Sequence, residues 1–225
     1  KQGIIPLNKL LAVGGRLVPL QNRVDPLGNL TAIRSRGEFL GNRGILHDES
    51  RNIVKPWAHK NWVICELSFK GIKRELFSPN SYSELFFLDE ATALSAGHRP
   101  CAHCKRQRFN EFKHLWGEVS SSPNKITVSA PEIDKQLHLE RVNRNRAKVL
   151  YSANFSEVSE GSFIELGEET YLFWSGSLHK WSHHGYTEVL PLPSQNEIVS
   201  VITPYTIVQM YKAGFKPLVH SSIYS

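Results

Sequence analysis

The spacing of apolar and polar positions along the chain changes several times, and each change marks an element. In NWVICELSFKG (61–71), Trp62, Ile64, Glu66 and Ser68 alternate with Val63, Cys65, Leu67 and Phe69. Period two predicts a strand, with Cys65 on the more apolar face beside Val63 and Leu67. GIKRELFSPNSY (71–82) reads as a second strand followed by a turn at Pro79-Asn80. LDEATALSAGHRP (88–100) predicts a short helix, N-capped by Asp89, ended by Gly97 and stopped by Pro100. A further helix is expected from about Pro100, because proline suits the first helical position. Its apolar positions are Cys101, Cys104, Phe109, Phe112, Leu115 and Trp116, at roughly helical spacing. SAPEIDKQLHLERVNRNR predicts a third helix with a Ser129/Glu132 capping box and a basic tail of Arg141, Arg144 and Arg146. From 147 to 202 short strands return, punctuated by Gly161, Gly167, Gly176 and Gly185. A last helix is capped by Thr203, carries Pro204 in its first turn and ends at Gly214. YKAGFKP (211–217) echoes LSAGHRP (94–100), which points to shared end-capping chemistry rather than to a repeat.

This order of elements predicts an α+β protein, mostly antiparallel, with a few short helices. Composition adds little: 40% hydrophobic and 21% charged residues are ordinary for a globular chain and argue against disorder. No apolar run is long enough to span a bilayer, and no signal peptide is read, so no membrane association is expected. Three cysteines are too few and too odd for a disulfide framework, which fits a reducing, cytoplasmic location. The net charge of +6 favours a polyanionic partner, with a basic enzyme on a small molecule as the alternative.

The densest chemistry lies in AGHRPCAHCKR, where Cys101 and Cys104 form a C-x-x-C pair. A helix start, with Lys105 and Arg106 beside it, favours thiolate, the form that binds zinc. A redox pair fits less well, because no βαβ alternation precedes the motif. Zinc takes four ligands, and Cys65 offers a third thiolate. His98 is the foremost candidate for the fourth, ahead of His47 and His59; His103 lies between the cysteines and points away from their shared face.

Three further groups carry candidate chemistry. IRSRGEFLGNRGILHD sets Arg34, Arg36 and Arg43 among glycines, which suits phosphate binding or, equally, a solvated loop. Arg99, Lys105, Arg106 and Arg108 flank the cysteines, and Arg144 and Arg146 close the third helix; all are candidate backbone contacts for a nucleic acid. His47 and Asp48 in LHDE, and His183, His184 and Tyr186 in WSHHGY, are candidate acid–base groups, although the second set reads first as a polar turn between strands.

Residues 65–106 resemble the zinc-binding module of Ada-type DNA methylphosphotriester repair proteins. The resemblance is carried by FFLDEATALSAGHRPCAHC, with Phe87, Glu90, Ala91, Ala96, Gly97, Arg99, Pro100, Cys101 and Cys104, spaced from Cys65 as in that family. It implies a small strand-and-helix zinc module (55–118) packed against DNA, inserted in or packed on the antiparallel region. In that family the cysteine matched by Cys65 is both ligand and methyl acceptor, and Cys101 and Cys104 match the last pair. The family's second cysteine falls where this chain has Ser68 or Phe69, and its aromatic before Arg-Pro-Cys is His98 here. A substituted fourth ligand accounts for both departures. The remainder of the chain resembles an uncharacterised bacterial family, which implies no activity. Together these readings predict a Zn2+-containing, DNA-binding protein that acts on or senses damaged or modified DNA, as a glycosylase, nuclease or methyl acceptor. The alternatives are a non-enzymatic zinc-stapled DNA-binding regulator and a small-molecule enzyme with a structural zinc.

Overall fold

The fold was analysed in a computed structural model, which describes residues 11–13, 16–72, 75–120 and 128–225. Its strands in chain order are β1 (Leu11–Val13), β2 (Arg16–Val18), β3 (Arg23–Val24), β4 (Leu30–Thr31), β5 (Phe39–Asn42), β6 (Val63–Cys65) and β7 (Leu85–Phe87). After helix α1 (Glu90–Ser95) come β8 (Arg99–Pro100), α2 (Arg106–Val119) and α3 (Ala130–Arg141). Strands β9 (Tyr151–Asn154), β10 (Phe163–Leu166), β11 (Glu169–Trp174), β12 (Ser177–Ser182), β13 (Gly185–Leu190) and β14 (Ile198–Val201) precede α4 (Tyr205–Lys212).

The protein is α+β. Among the described residues, one six-stranded sheet runs β4-β3-β7-β5-β6-β8 and is mixed, with β3–β7 and β6–β8 parallel. The other runs β13-β12-β11-β10-β14-β9 and is antiparallel throughout. Tight turns account for β10 to β13, where consecutive strands pair, whereas β14 inserts between β10 and β9. The mixed sheet packs Val24, Phe39, Ile64, Leu85 and Phe87 against residues of all four helices, including Leu94, Phe112, Trp116, Leu137 and Ile207. Leu88 and Ala91 then join Phe163, Leu172 and Tyr186 of the antiparallel sheet, and Ile202 just after it, in one apolar cluster. Residues 55–118 are joined to the segment before them through the mixed sheet. Strand β5, from the segment before residue 55, pairs with both β6 and β7 inside it. Gly41 makes this possible, because a Cβ there would lie 2.4 Å from the Phe87 ring.

Several elements follow their local signals. Asp89 accepts from Thr92 N and caps α1. Gly97, at φ +88°, donates to Leu94 O while His98 N donates to Ala93 O. Gly214 and Phe215 repeat this arrangement on Tyr211 O and Met210 O after α4. The echo between LSAGHRP and YKAGFKP is thus one C-terminal capping motif used twice. The Ser129/Glu132 capping box is also formed.

Other expectations are corrected. Pro100 does not open a helix: Arg99–Pro100 pairs as an edge strand with β6, a position that does not need the missing amide proton. Helix α2 begins only at Arg106, so Cys101 and Cys104 sit in the preceding turn. The described part of 71–82 is turn and irregular chain rather than strand; 73–74 lie outside the described residues. The alternation at 61–65 holds, but Trp62 and Ile64, not Val63 and Cys65, form the buried side. Their larger apolar surface takes the core, and Cys65 is left half-buried on the opposite face.

Candidate metal centre

Three segments converge on the thiols. Cys65 ends β6, Cys101 follows β8 directly, and Cys104 stands one turn before α2. Cys101 N donates to Ile64 O at 2.9 Å, which extends the β6–β8 pairing and brings Cys101 alongside Cys65. The sulfurs of Cys65, Cys101 and Cys104 lie within 4.8 Å of one another and form a group that can hold a metal ion. All three cysteines are free and half-buried. His103 N donates to Cys101 Sγ at 3.4 Å, and the Glu66 amide supports charge on Cys104. Backbone amides aimed at sulfur stabilise thiolate without closing the site.

The thiols share their protons. Cys101 is held far below the usual thiol range because Cys104 and Cys65 donate to it. Cys65 is pushed far up, since its proton is held by Cys101 and Cys104, and burial adds to this. Cys104 is also raised, first by its bond to Cys101. A soft divalent ion releases those protons and takes their place. In a tetrahedral zinc site, Zn–S bonds of about 2.3 Å place sulfurs roughly 3.8 Å apart, which the cluster accommodates. The donor set therefore fits a metal such as zinc.

His98 is not among these ligands. Its ring is fully buried, edge-on to Phe87 at 4.6 Å and tilted on Trp62 at 5.1 Å. Arg43 Nε donates to His98 Nε2 at 3.1 Å, so the imidazole is neutral with its proton on Nδ1. Burial, with Arg43 and Arg141 adding, holds His98 well below the usual histidine range. The unfolded histidine takes up a proton near pH 6.5 and the folded one does not, so His98 costs stability as pH falls through that value. Urea melts between pH 7 and 5.5 should show stability declining by up to about 1.4 kcal/mol per pH unit below 6.5 from this residue. A His98→Phe variant should flatten that part of the slope; an unchanged slope would place the titration elsewhere. His103 points away as expected, with its ring edge-on to Phe69 at 5.0 Å.

Much of the positive charge expected to meet a nucleic acid is engaged internally. Arg99 makes a bidentate bond to Asp134, at 2.8 Å to each oxygen. Arg108 clasps Glu90 and packs its guanidinium 3.9 Å from the centre of the Phe215 ring. Lys105 pairs with Glu66 at 2.7 Å and lies over Phe39. Arg43 is 1% exposed and lies over Trp62. These four correct the expectation of phosphate contacts, because acids and ring faces inside the fold already hold their charged ends. Arg34, Arg36, Arg106, Arg144 and Arg146 are exposed.

The two candidate acid–base groups each have their own neighbours in the fold. His47 stacks on Phe77 at 4.6 Å and bonds Ser83 Oγ at 2.6 Å. Exposed Asp48 accepts from Asn52 N in a local turn. His183 and His184 form the turn of the β12–β13 hairpin, with His183 against Trp181. Tyr186 is buried, its hydroxyl donating to Asp89 Oδ2 at 2.7 Å. Asp89 in turn accepts from Thr92 N, Thr92 Oγ1 and His220 N, so Tyr186 belongs to a helix-capping network.

The residues that carry the Ada-type resemblance have structural roles, its cysteines apart. Phe87 fills the core, Glu90 anchors Arg108 and the Leu218 amide, and Gly97 passes beneath Arg141. Arg141, expected in a basic tail, is fully buried over Trp62. Lys148, which no sequence signal marked, donates from its ammonium to Ser95 O. The only signal for Arg141 was its place four residues beyond the buried Leu137 of α3. No helix among the described residues is long and apolar enough to cross a membrane. No protein family, curated protein or solved structure matches the chain.

Proposed function

We propose that the protein is a zinc protein that binds DNA and acts on or senses damaged or modified DNA. The convergence of Cys65 with Cys101 and Cys104, from distant parts of the chain, carries this reading. It is the thiol arrangement that the Ada-type resemblance implies. Cys65, Cys101 and Cys104 hold the ion, and an exogenous donor completes its coordination. Bound zinc with three protein ligands supplies Lewis acidity at an exchangeable fourth position. The net charge of +6 and the exposed Arg34, Arg36, Arg106 and Arg144 support the nucleic-acid partner. In this reading Arg106, two residues after Cys104, holds a phosphate beside the thiols.

The test pairs metal analysis with binding to double-stranded DNA over a range of salt. One zinc per chain with three sulfur neighbours, from X-ray absorption, is expected. Affinity should fall with salt, and alanine at each of Arg34, Arg36, Arg106 and Arg144 that contacts phosphate should reduce the log–log slope by about 0.9. Zinc with no salt-dependent DNA affinity would leave a structural metal and remove the DNA reading. A protein purified without metal, or with a Cys101–Cys104 disulfide, would remove both.

A further inference from the structure

A cavity of about 620 Å³ opens beside β5, lined by Arg43, Trp57, Trp62, Arg141, Arg146 and Lys148 among others. Its volume is that of a site for a small ligand. Lys55 also lines it, and none of the lining residues is acidic. Five cations thus surround one space.

The three inner cations are unusual in what they lack. Arg43 and Arg141 are 1% and 0% exposed, and they lie on Trp62, with guanidinium-to-ring distances of 4.1 and 3.9 Å. Their hydrogen bonds go to neutral acceptors: Arg43 to Gly28 O and His98, Arg141 to Gly97 O and Lys60 O. Lys148 likewise donates to a carbonyl, Ser95 O. Among the described residues no carboxylate pairs with any of the three. Asp134 is already bound by Arg99, and Asp25 accepts from the Asn29 amide and side chain. Arg43 Nη2 and Arg141 Nε have no hydrogen-bond partner. Burying charge without a counter-charge costs several kcal/mol per ion, on the order that single folded domains can rarely spare. Burial brings Arg43 and Arg141 down to about 9 and Lys148 to about 7, the two arginines adding to the effect on Lys148, while Asp25 near Arg43 and Lys148 and Asp134 near Arg141 offset only part of it.

We infer that this cavity binds a small phosphate-bearing ligand, which supplies the missing negative charge. Lys148 is half-buried and Lys55 and Arg146 are exposed, so these three offer the reachable donors. Arg43 and Arg141 set the potential beneath them, where low dielectric strengthens the attraction. Trp57 is half-buried at the wall with Arg146 over its ring, and it provides a planar apolar surface for the remainder of a phosphate ester. A dianionic phosphate matches clustered cations better than a carboxylate does, since it carries more charge and more acceptor oxygens. The inference uses none of the three thiols and stands whether or not the zinc and DNA reading does.

Isothermal titration calorimetry on the full chain tests it with four probes at matched ionic strength: inorganic phosphate, thymidine 5′-monophosphate, thymidine and sodium chloride. Saturable binding of inorganic phosphate or of the monophosphate is expected, the tighter of the two identifying the source, with none for thymidine or chloride. Lys148→Met should weaken that binding at least tenfold. Because Lys148 is partly inside the fold, the exposed pair Lys55→Ala/Arg146→Ala serves as a second variant, with several-fold weakening expected. Absence of binding by both phosphates, binding of thymidine as tight as its monophosphate, or affinity unchanged in both variants would overturn the inference.

Discussion

Removing metal from the Cys65–Cys101–Cys104 group should lower the thermal midpoint by roughly 8–16 °C. An ion bound about a thousandfold above its dissociation constant stabilises the native state by about 4 kcal/mol. For a chain of this size each kcal/mol moves the midpoint by about 2–4 °C. The location of the thiols explains the coupling. Cys65 ends β6, which holds the edge strand β8, and Cys101 and Cys104 lead from β8 into α2. Phe112 and Trp116 of α2 sit in the main core, so loosening the thiols loosens the start of a core helix. Scanning calorimetry with and without a chelator, and on Cys101→Ser, measures this. The variant should match the chelated protein and no longer respond to added zinc. A chelated protein that melts where the untreated one does would show that no metal contributes to the fold.

The second large effect concerns Arg99, a residue whose role the sequence misjudged. Arg99→Ala should destabilise by about 3–5 kcal/mol, because it leaves the Asp134 carboxylate buried without its partner. The side chains of Arg99 and Asp134 are only 6% and 9% exposed, and the bidentate bond ties β8 to α3. Asp134→Ala should cost a similar amount for the converse reason. The double variant Arg99→Met/Asp134→Leu should recover much of the loss, since an apolar pair of similar size needs no counter-charge. Urea denaturation of the four proteins gives the comparison. Near-native stability of Arg99→Ala, together with a DNA salt slope reduced by about 0.9, would restore Arg99 as a phosphate contact.

Arg43, Arg99 and Arg108 illustrate why the cationic residues were the hardest to place. An arginine next to a C-x-x-C looks the same in sequence whether it meets phosphate, a carboxylate or an indole ring. Only the packing brings Asp134, Glu90 and Trp62 to these guanidinium groups, from 35, 18 and 19 positions away or from separate elements. The histidines behave alike. His98 stands three residues before Cys101, close enough in sequence to look like a ligand. The capping turn at Gly97 instead directs its ring into the core between Phe87 and Trp62.

Local signals determined most of the elements. Capping residues fixed α1 and α3 because their side chains satisfy nearby amides, and those bonds form within a few residues. The glycine-punctuated alternation marked the hairpins from β10 to β13, because short turns pair neighbouring strands, whereas the place of β14 between β10 and β9 was set by the fold. The C-x-x-C spacing paired Cys101 with Cys104, and Cys65 joined them as the remaining thiol and through the Ada-type resemblance. What the sequence left undecided was decided by contacts between distant segments. The side of β6 that is buried, the end of β8, the company of His98 and the trapping of Arg141 and Lys148 all depend on which surfaces meet. Desolvation and charge pairing act through space, so their outcome is set only when the sheets and helices close around them.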